Sequence, residues 1–70
     1  MKYTEFKDSI REELKRNPSG LTWRELKGTL ALPYERPCSE WTSRLEKEIG
    51  LVRREKKGNA LIWRLGGRER

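Results

Sequence analysis

Histidine and glutamine are missing from this 70-residue chain, and Cys38 is its single cysteine. A metal site built from His or Cys within one chain needs several such ligands, so it is excluded in practice. One thiol forms no internal disulfide, which fits a reducing compartment. We therefore expect neither a metal nor any other cofactor.

The chain also lacks long apolar runs and catalytic motifs. No stretch approaches the ~20 apolar residues of a membrane span, and the N-terminal segment carries charges throughout, unlike a signal peptide. There is no nucleophile with a base and an orienting group, and no glycine-rich phosphate loop. These absences predict a cytoplasmic protein without membrane contact, without catalytic residues and without enzyme activity.

Positive charge is abundant and unevenly distributed. The sequence has 17 Lys and Arg against 11 Asp and Glu, a formal charge of +6. Residues 1–35 have seven basic and six acidic groups, a net charge of +1, whereas residues 36–70 have ten and five, a net charge of +5. The second half therefore favours a polyanionic partner, nucleic acid first and an anionic membrane or acidic protein second. A basic surface with no partner is the alternative.

A first helix is predicted at Tyr3–Arg16. Phe6, Ile10 and Leu14 repeat at i, i+4 and i+8, so one face is apolar and the rest is charged. Pro18 disfavours helical geometry at the preceding residue and ends this helix.

A second helix is predicted at Trp23–Leu30. Thr22 can cap its first turn, and Glu25, three residues later, can reach back to the backbone N–H of the cap. Pro33 opposes any extension of the helix. The residues predicted to be buried are Trp23, Leu26 and Leu30.

A third helix is predicted at Glu40–Ile49, with Ser39 as its N-cap. Trp41 and Leu45 begin an i, i+4, i+8 repeat, and Gly50 provides the C-terminal stop. The residues predicted to face solvent are Thr42, Ser43, Arg44 and Lys47.

Two strands are predicted to follow, at Leu51–Lys56 and Ala60–Leu65. Gly58 and Asn59 are the turn residues between them, since both tolerate positive φ. Alternation along the second strand directs one face toward the helices, and that face carries Leu61, Trp63 and Leu65. Residues 66–70 are predicted to be a flexible basic tail.

Three short helices followed directly by a hairpin resemble the winged helix-turn-helix superfamily, in its small single-domain form of prokaryotic or archaeal type. The resemblance extends from about Tyr3 to Leu65, within a domain predicted at residues 1–65. Its most telling pieces are "GLTWREL" at the second helix and "RLEKEIGLVRR" between the third helix and the hairpin. It implies an α+β fold, a three-helix bundle with a two-stranded C-terminal wing. It also implies binding to double-stranded DNA, with the third helix in the major groove and the wing along the backbone or minor groove.

The residue types agree with that function. Ser, Thr and Arg side chains can meet base edges in the major groove, and cations on a hairpin can hold phosphates. The candidates on the third helix are Ser39, Thr42, Ser43, Arg44 and Lys47. The candidates on the wing are Arg53, Arg54, Lys56, Lys57 and Asn59. About five phosphate contacts would give a slope of log affinity against log salt of about −4.5.

A small transcriptional regulator or a chromatin-type factor is therefore the leading prediction, acting as a monomer or a homodimer. One alternative is a winged-helix protein-interaction module of a larger complex, with apolar Leu32, Tyr34 and Ile62 as contact residues. Another is RNA binding by the same basic face.

Overall fold

The protein was studied as a computed structural model, which describes residues 1–66. Within these residues the helices are α1 (Tyr3–Arg16), α2 (Trp23–Leu30) and α3 (Ser39–Glu48), and the strands are β1 (Leu21–Thr22), β2 (Leu51–Val52), β3 (Lys56–Lys57) and β4 (Ala60–Leu65). The chain is thus an α+β fold, as predicted. All four strands belong to one antiparallel sheet, in which β4 lies between β1 on one side and β2 with β3 on the other.

The bounds predicted for α1 and α2 are confirmed. α1 buries Phe6, Ile10 and Leu14. At the start of α2, the Glu25 N–H donates to Thr22 Oγ1 (3.3 Å) and the Thr22 N–H donates to Glu25 Oε1 (2.9 Å). This reciprocal pair satisfies two backbone groups that the helix cannot satisfy itself, so α2 starts where the local sequence directs it. None of the helices within residues 1–66 is both long and apolar enough to cross a bilayer.

The two-residue strand β1 was not predicted. Leu21 pairs with Trp63 and Thr22 pairs with Ile62, so the segment before α2 forms one edge of the sheet. Gly20 precedes it with φ of +100°, and a Cβ there would meet the Trp63 carbonyl oxygen at 2.9 Å. Glycine is required at this position because the two backbones approach closely and φ is positive.

α3 begins and ends one residue earlier than predicted. Cys38, not Ser39, is the N-cap residue, and it makes no side-chain capping hydrogen bond. Ile49 is the C-cap residue, and its N–H donates to the Leu45 carbonyl (2.9 Å). The prediction of Ser39 as the cap is therefore wrong.

The strand predicted over Leu51–Lys56 is interrupted. Val52 pairs with Arg64 and Lys56 pairs with Leu61, so residues 53–55 oppose only residues 62–63. One extra residue in one arm is a β-bulge, which bends the strand and increases its twist. The basic part of the hairpin thus begins at a bend.

One hydrophobic core joins the helices to the sheet. It consists of Phe6, Ile10, Leu14, Leu26, Leu32, Leu45, Leu51 and Trp63. Leu65 packs against this core, as predicted, but Leu61 and Val52 are half-buried and lie outside it. The hairpin is therefore held chiefly through Leu51, Trp63 and Leu65.

The end of β4 is tied to the end of α3. The Gly66 N–H donates to the Gly50 carbonyl (2.7 Å), so Gly66 belongs to the folded domain rather than to the predicted tail. The remainder of that tail, residues 67–70, lies outside the described residues.

Candidate nucleic-acid interface

The outer face of α3 presents short polar side chains and one long cation. Ser39, Ser43 and Lys47 are exposed. Within residues 1–66, Lys47 forms no ion pair. These three side chains are therefore accessible to a partner.

Thr42 is not part of that face. Only 2% of this residue is exposed, and its Oγ1 donates to the Cys38 carbonyl (2.7 Å). The hydrogen bond back to the preceding turn satisfies the hydroxyl, so the residue can be buried at little cost. The prediction that Thr42 faces solvent is wrong, and Thr42 is removed from the candidate contacts.

Arg44 lies at the edge of the face and leans toward α1. Its Nε donates to Glu48 Oε2 (3.3 Å), and its Cζ lies 3.9 Å from the centroid of the Tyr3 ring. A guanidinium stacked on an aromatic ring is held by the quadrupole of the ring as well as by its ion pair. Arg44 must release these contacts before it can reach a base.

Glu48 is the centre of a polar cluster between α1 and α3. Besides Arg44, it accepts hydrogen bonds at Oε1 from the Tyr3 hydroxyl (2.9 Å) and Lys7 Nζ (3.2 Å). The hydrogen bond from Tyr3, followed by that from Lys7, lowers the pKa of the carboxyl. Burial and the bond to Glu48 raise the pKa of Tyr3 to about 12. The negative charge of Glu48 is thereby balanced locally.

Three hairpin side chains are free to bind. Arg54, Lys56 and Asn59 are exposed, and among the described residues neither cation has an ion-pair partner. Lys57 is also exposed, but its Nζ lies 3.4 Å from Glu25 Oε2. An exposed pair of this kind contributes little to stability and opens readily, so Lys57 stays available.

Arg53 has a different environment from the other hairpin cations. Its Nη2 donates to Glu46 Oε2 (3.2 Å), its Cζ lies 5.6 Å from the Trp63 ring centroid, and 28% of its side chain is exposed. Its Nε is buried without a hydrogen-bond partner. Arg53 therefore joins the hairpin to α3 and covers Trp63, and it is the wing candidate least able to contact phosphate.

Glu46 was expected to pair with neighbouring cations of its own helix, and its pair with Arg53 of the hairpin was not predicted. The two residues are seven apart and lie on either side of Gly50, where the chain turns from α3 into β2. The signal for this pair in the sequence was two opposite charges on either side of the predicted end of the helix. Their pairing depends on the turn geometry, which the sequence does not specify.

The apolar residues considered for protein contact are not prominent on the surface. Leu32 is 7% exposed and belongs to the core. Tyr34 packs against the core and its hydroxyl donates to the Met1 carbonyl (3.4 Å), and Ile62 is half-buried. Among residues 1–66, Met1 is the exposed large hydrophobic residue. Polar and basic side chains thus dominate the candidate interface.

Comparisons of the chain with protein-family models, with curated proteins and with solved structures found no match.

Proposed function

We propose that the chain is a winged-helix domain that binds double-stranded DNA through α3 and the hairpin. Two features of the fold support this proposal. α3 is followed at once by the hairpin, and the segment before α2 forms a short strand beside β4. This arrangement anchors the hairpin at its base, next to the end of α3, while Lys57 near its tip lies 3.4 Å from Glu25 of α2.

The observation that carries the proposal is the set of unpaired polar side chains on α3 and the hairpin. They are Ser39, Ser43 and Lys47 on α3, and Arg54, Lys56 and Asn59 on the hairpin. Of the acidic residues on these elements, Glu46 pairs with Arg53, Glu48 with Arg44 and Glu55 with Arg64. Glu40, in the first turn of α3, is exposed and has no ion-pair partner within residues 1–66. Two neighbouring elements therefore offer cations and hydrogen-bonding groups whose charge is not cancelled by an ion pair.

These side chains suit different parts of a duplex. An α-helix fits the major groove, where Ser39 and Ser43 hydroxyls can bond to base edges and Lys47 can bond to guanine acceptors. Arg54 and Lys56 are suited to phosphates, which fix the register of a protein on DNA without reading sequence. Asn59, in the turn, can donate to the same backbone.

The first experiment compares nucleic acids. Fluorescence anisotropy of a labelled duplex, the matching single strand and a structured RNA is measured with the full chain. We expect the duplex to bind most tightly, and its affinity to fall as salt rises, because bound cations release counterions from the phosphates. Preference for RNA would assign the basic face to RNA instead, and no binding to any of the three at low salt would overturn the proposal.

A pair of hairpin substitutions then tests the contact residues. We expect Arg54→Gln with Lys56→Gln to weaken duplex binding by at least tenfold at low salt, since two phosphate contacts are lost. The matched control is Arg16→Gln with Lys27→Gln, which removes the same charge from α1 and α2. Equal weakening in both double variants would mean that net charge alone attracts the DNA.

A further inference from the structure

A second basic feature lies where α1 meets the end of α3 and the end of β4, away from the tip of the hairpin. It is a cleft of about 590 Å³. Arg11 and Lys15 of α1 and Lys47 of α3 line its sides, and the remaining lining residues are Glu48, Ile49, Gly50 and Leu65. The sequence reasoning missed Arg11 and Lys15, because a charged helix face is ordinarily only solvated.

The three cations are poorly neutralised. Arg11 and Lys47 form no ion pair within residues 1–66, and Lys15 Nζ has only a distant contact at 3.9 Å to Glu12, where both side chains are more than half exposed. Contacts of that kind are weak. The cleft therefore has positive charge available for a ligand.

The acidic lining residue does not cancel that charge. Both carboxylate oxygens of Glu48 are engaged, one by Tyr3 and Lys7 and the other by Arg44. The end of α3 adds a partial negative charge of about half an elementary charge. Three full positive charges exceed it, so an anion remains favoured.

The cleft also has an apolar side. Ile49 and Leu65 are half-buried side chains that pack on the core, so they form a fixed surface. The volume falls within the roughly 300–1,000 Å³ of small-molecule sites. The lining thus suits a ligand with an anionic end and a flat or apolar part.

We propose that this cleft binds a nucleotide, with its phosphates between Arg11, Lys15 and Lys47 and its base against Ile49 and Leu65. Arg11 can hold two phosphate oxygens together through its planar fork, while the lysines act as point charges. The inference does not depend on DNA binding by the hairpin. The nucleotide can be free or part of a nucleic-acid strand, and the experiment separates these sources.

The test uses the ¹⁵N-labelled full chain and follows backbone amide shifts by NMR. ATP is expected to shift the amides of Ile49, Gly50 and Leu65 saturably, and adenosine is expected to leave them unshifted, because phosphate supplies most of the attraction. Pyrophosphate is expected to bind more weakly than ATP because it lacks a base. Equal affinity for pyrophosphate and ATP would overturn the assignment to a nucleotide.

Substitutions locate the site. Arg11→Gln with Lys15→Gln should weaken ATP binding at least tenfold, while the control Arg16→Gln with Lys27→Gln should leave it within twofold. Both pairs remove two positive charges, so equal weakening would show general charge attraction and overturn the site. Thermal melting of each variant identifies any loss of folding. Arg11→Lys keeps the positive charge, so a variant with this change and with Lys15 in place should bind ATP more tightly than one with Arg11→Gln.

A short duplex in the same titration distinguishes the two sources. Shifts at the cleft amides with ATP support a site for free nucleotide. Shifts there with the duplex alone, weakened by Arg11→Gln with Lys15→Gln, support a site for a nucleotide within a strand. Shifts with neither ligand would overturn the proposal. If the hairpin variant loses duplex binding but still binds ATP, the result supports the cleft as a site separate from the tip of the hairpin.

Discussion

At the scale of single residues, Glu48 links two helices that are distant in sequence. Its carboxylate accepts hydrogen bonds from Tyr3 and Lys7 of α1 and from Arg44 of its own helix. The ionised carboxylate is the form that these three donors favour, which is why the pKa of Glu48 is lowered. Folding is therefore coupled to the ionisation of this group.

The sign of the pH dependence follows from that lowered pKa. The carboxyl is ionised more readily in the folded chain than in the unfolded chain, so its contribution to stability is present above its ordinary pKa of 4.5. The contribution is lost as pH falls through the lower pKa of the folded state. We expect the midpoint of urea unfolding to decrease over this acidic range, and Glu48→Gln to make the decrease smaller.

Two comparisons separate the contribution of Glu48 to this pH dependence from that of other carboxyl groups. Glu40→Gln is the matched control, because it removes an exposed carboxyl of α3 while Glu48 and its three donors stay in place. Glu25, whose pKa is also lowered, chiefly by its hydrogen bond from the Thr22 backbone, sustains part of the decline in both variants. An unchanged acid profile in Glu48→Gln would contradict the coupling.

Residue type alone misplaced Thr42 and did not predict the contacts of Arg53. Thr42 is polar and was expected in solvent, but its hydroxyl finds an acceptor one turn earlier and the residue packs inward. Arg53 is charged, yet its guanidinium lies over the Trp63 ring, with Cζ 5.6 Å from the ring centroid, and donates to Glu46. A contact that forms only after the chain has folded cannot be predicted from residue type.

At the scale of elements, β1 depends on a close backbone approach. An alanine Cβ at Gly20 would meet Ile62 Cγ2 and, at 2.9 Å, the Trp63 carbonyl oxygen, while φ stays at +100°. Overpacking and positive φ are each unfavourable for alanine. We expect Gly20→Ala to lower the free energy of unfolding by about 2–4 kcal/mol, measured by equilibrium urea denaturation.

A second glycine provides the control for Gly20→Ala. Gly28 lies within α2, and a Cβ there would have no neighbour within 4 Å. Because alanine is a better helix former than glycine, Gly28→Ala should raise the free energy of unfolding by about 0.5–1 kcal/mol. A Gly20 variant as stable as the wild type would mean that β1 contributes little to the fold.

The elements that the sequence predicted are those stabilised by local interactions. α1 follows from the spacing of Phe6, Ile10 and Leu14, and α2 from the cap formed by Thr22 and Glu25. β1 was not predicted because two residues are too few to show a periodic pattern and their partners lie about forty positions away in β4. The bulge at residues 53–55 was not predicted because the register of the two strands is set by pairing between them. The winged-helix assignment itself remains a prediction.

At the scale of the whole molecule, the ion pairs reduce the charge available for binding. Of the basic side chains proposed as contacts, Arg44, Arg53 and Lys57 are within ion-pair distance of a carboxylate. Lys47, Arg54 and Lys56 are exposed and have no such partner among the described residues. The cations that we propose for phosphate are Arg54 and Lys56, together with Lys57, whose exposed ion pair opens readily. We therefore expect about three phosphate contacts rather than about five.

We accordingly expect a shallower salt dependence of duplex binding. About three phosphate contacts give a slope of log affinity against log salt of about −2.7, instead of about −4.5 for five. The slope is measured by anisotropy titrations at four or more salt concentrations. Arg54→Gln with Lys56→Gln should reduce it by about 1.8. A slope steeper than about −4 would mean that the paired cations exchange their carboxylates for phosphates on binding.

The position of β4 within the sheet bears on aggregation. β4 is a six-residue strand, "ALIWRL", with one charge and no proline, which is the composition of segments that form amyloid-like stacks. Here both of its edges are paired in part, with β1 at Ile62 and Trp63 on one side and with β2 and β3 on the other. The covering strands have two residues each, too few to recruit a neighbouring chain effectively. A chain that loses β1, by partial unfolding or by cleavage before α2, would therefore expose an edge of β4 that can pair with a strand of another chain.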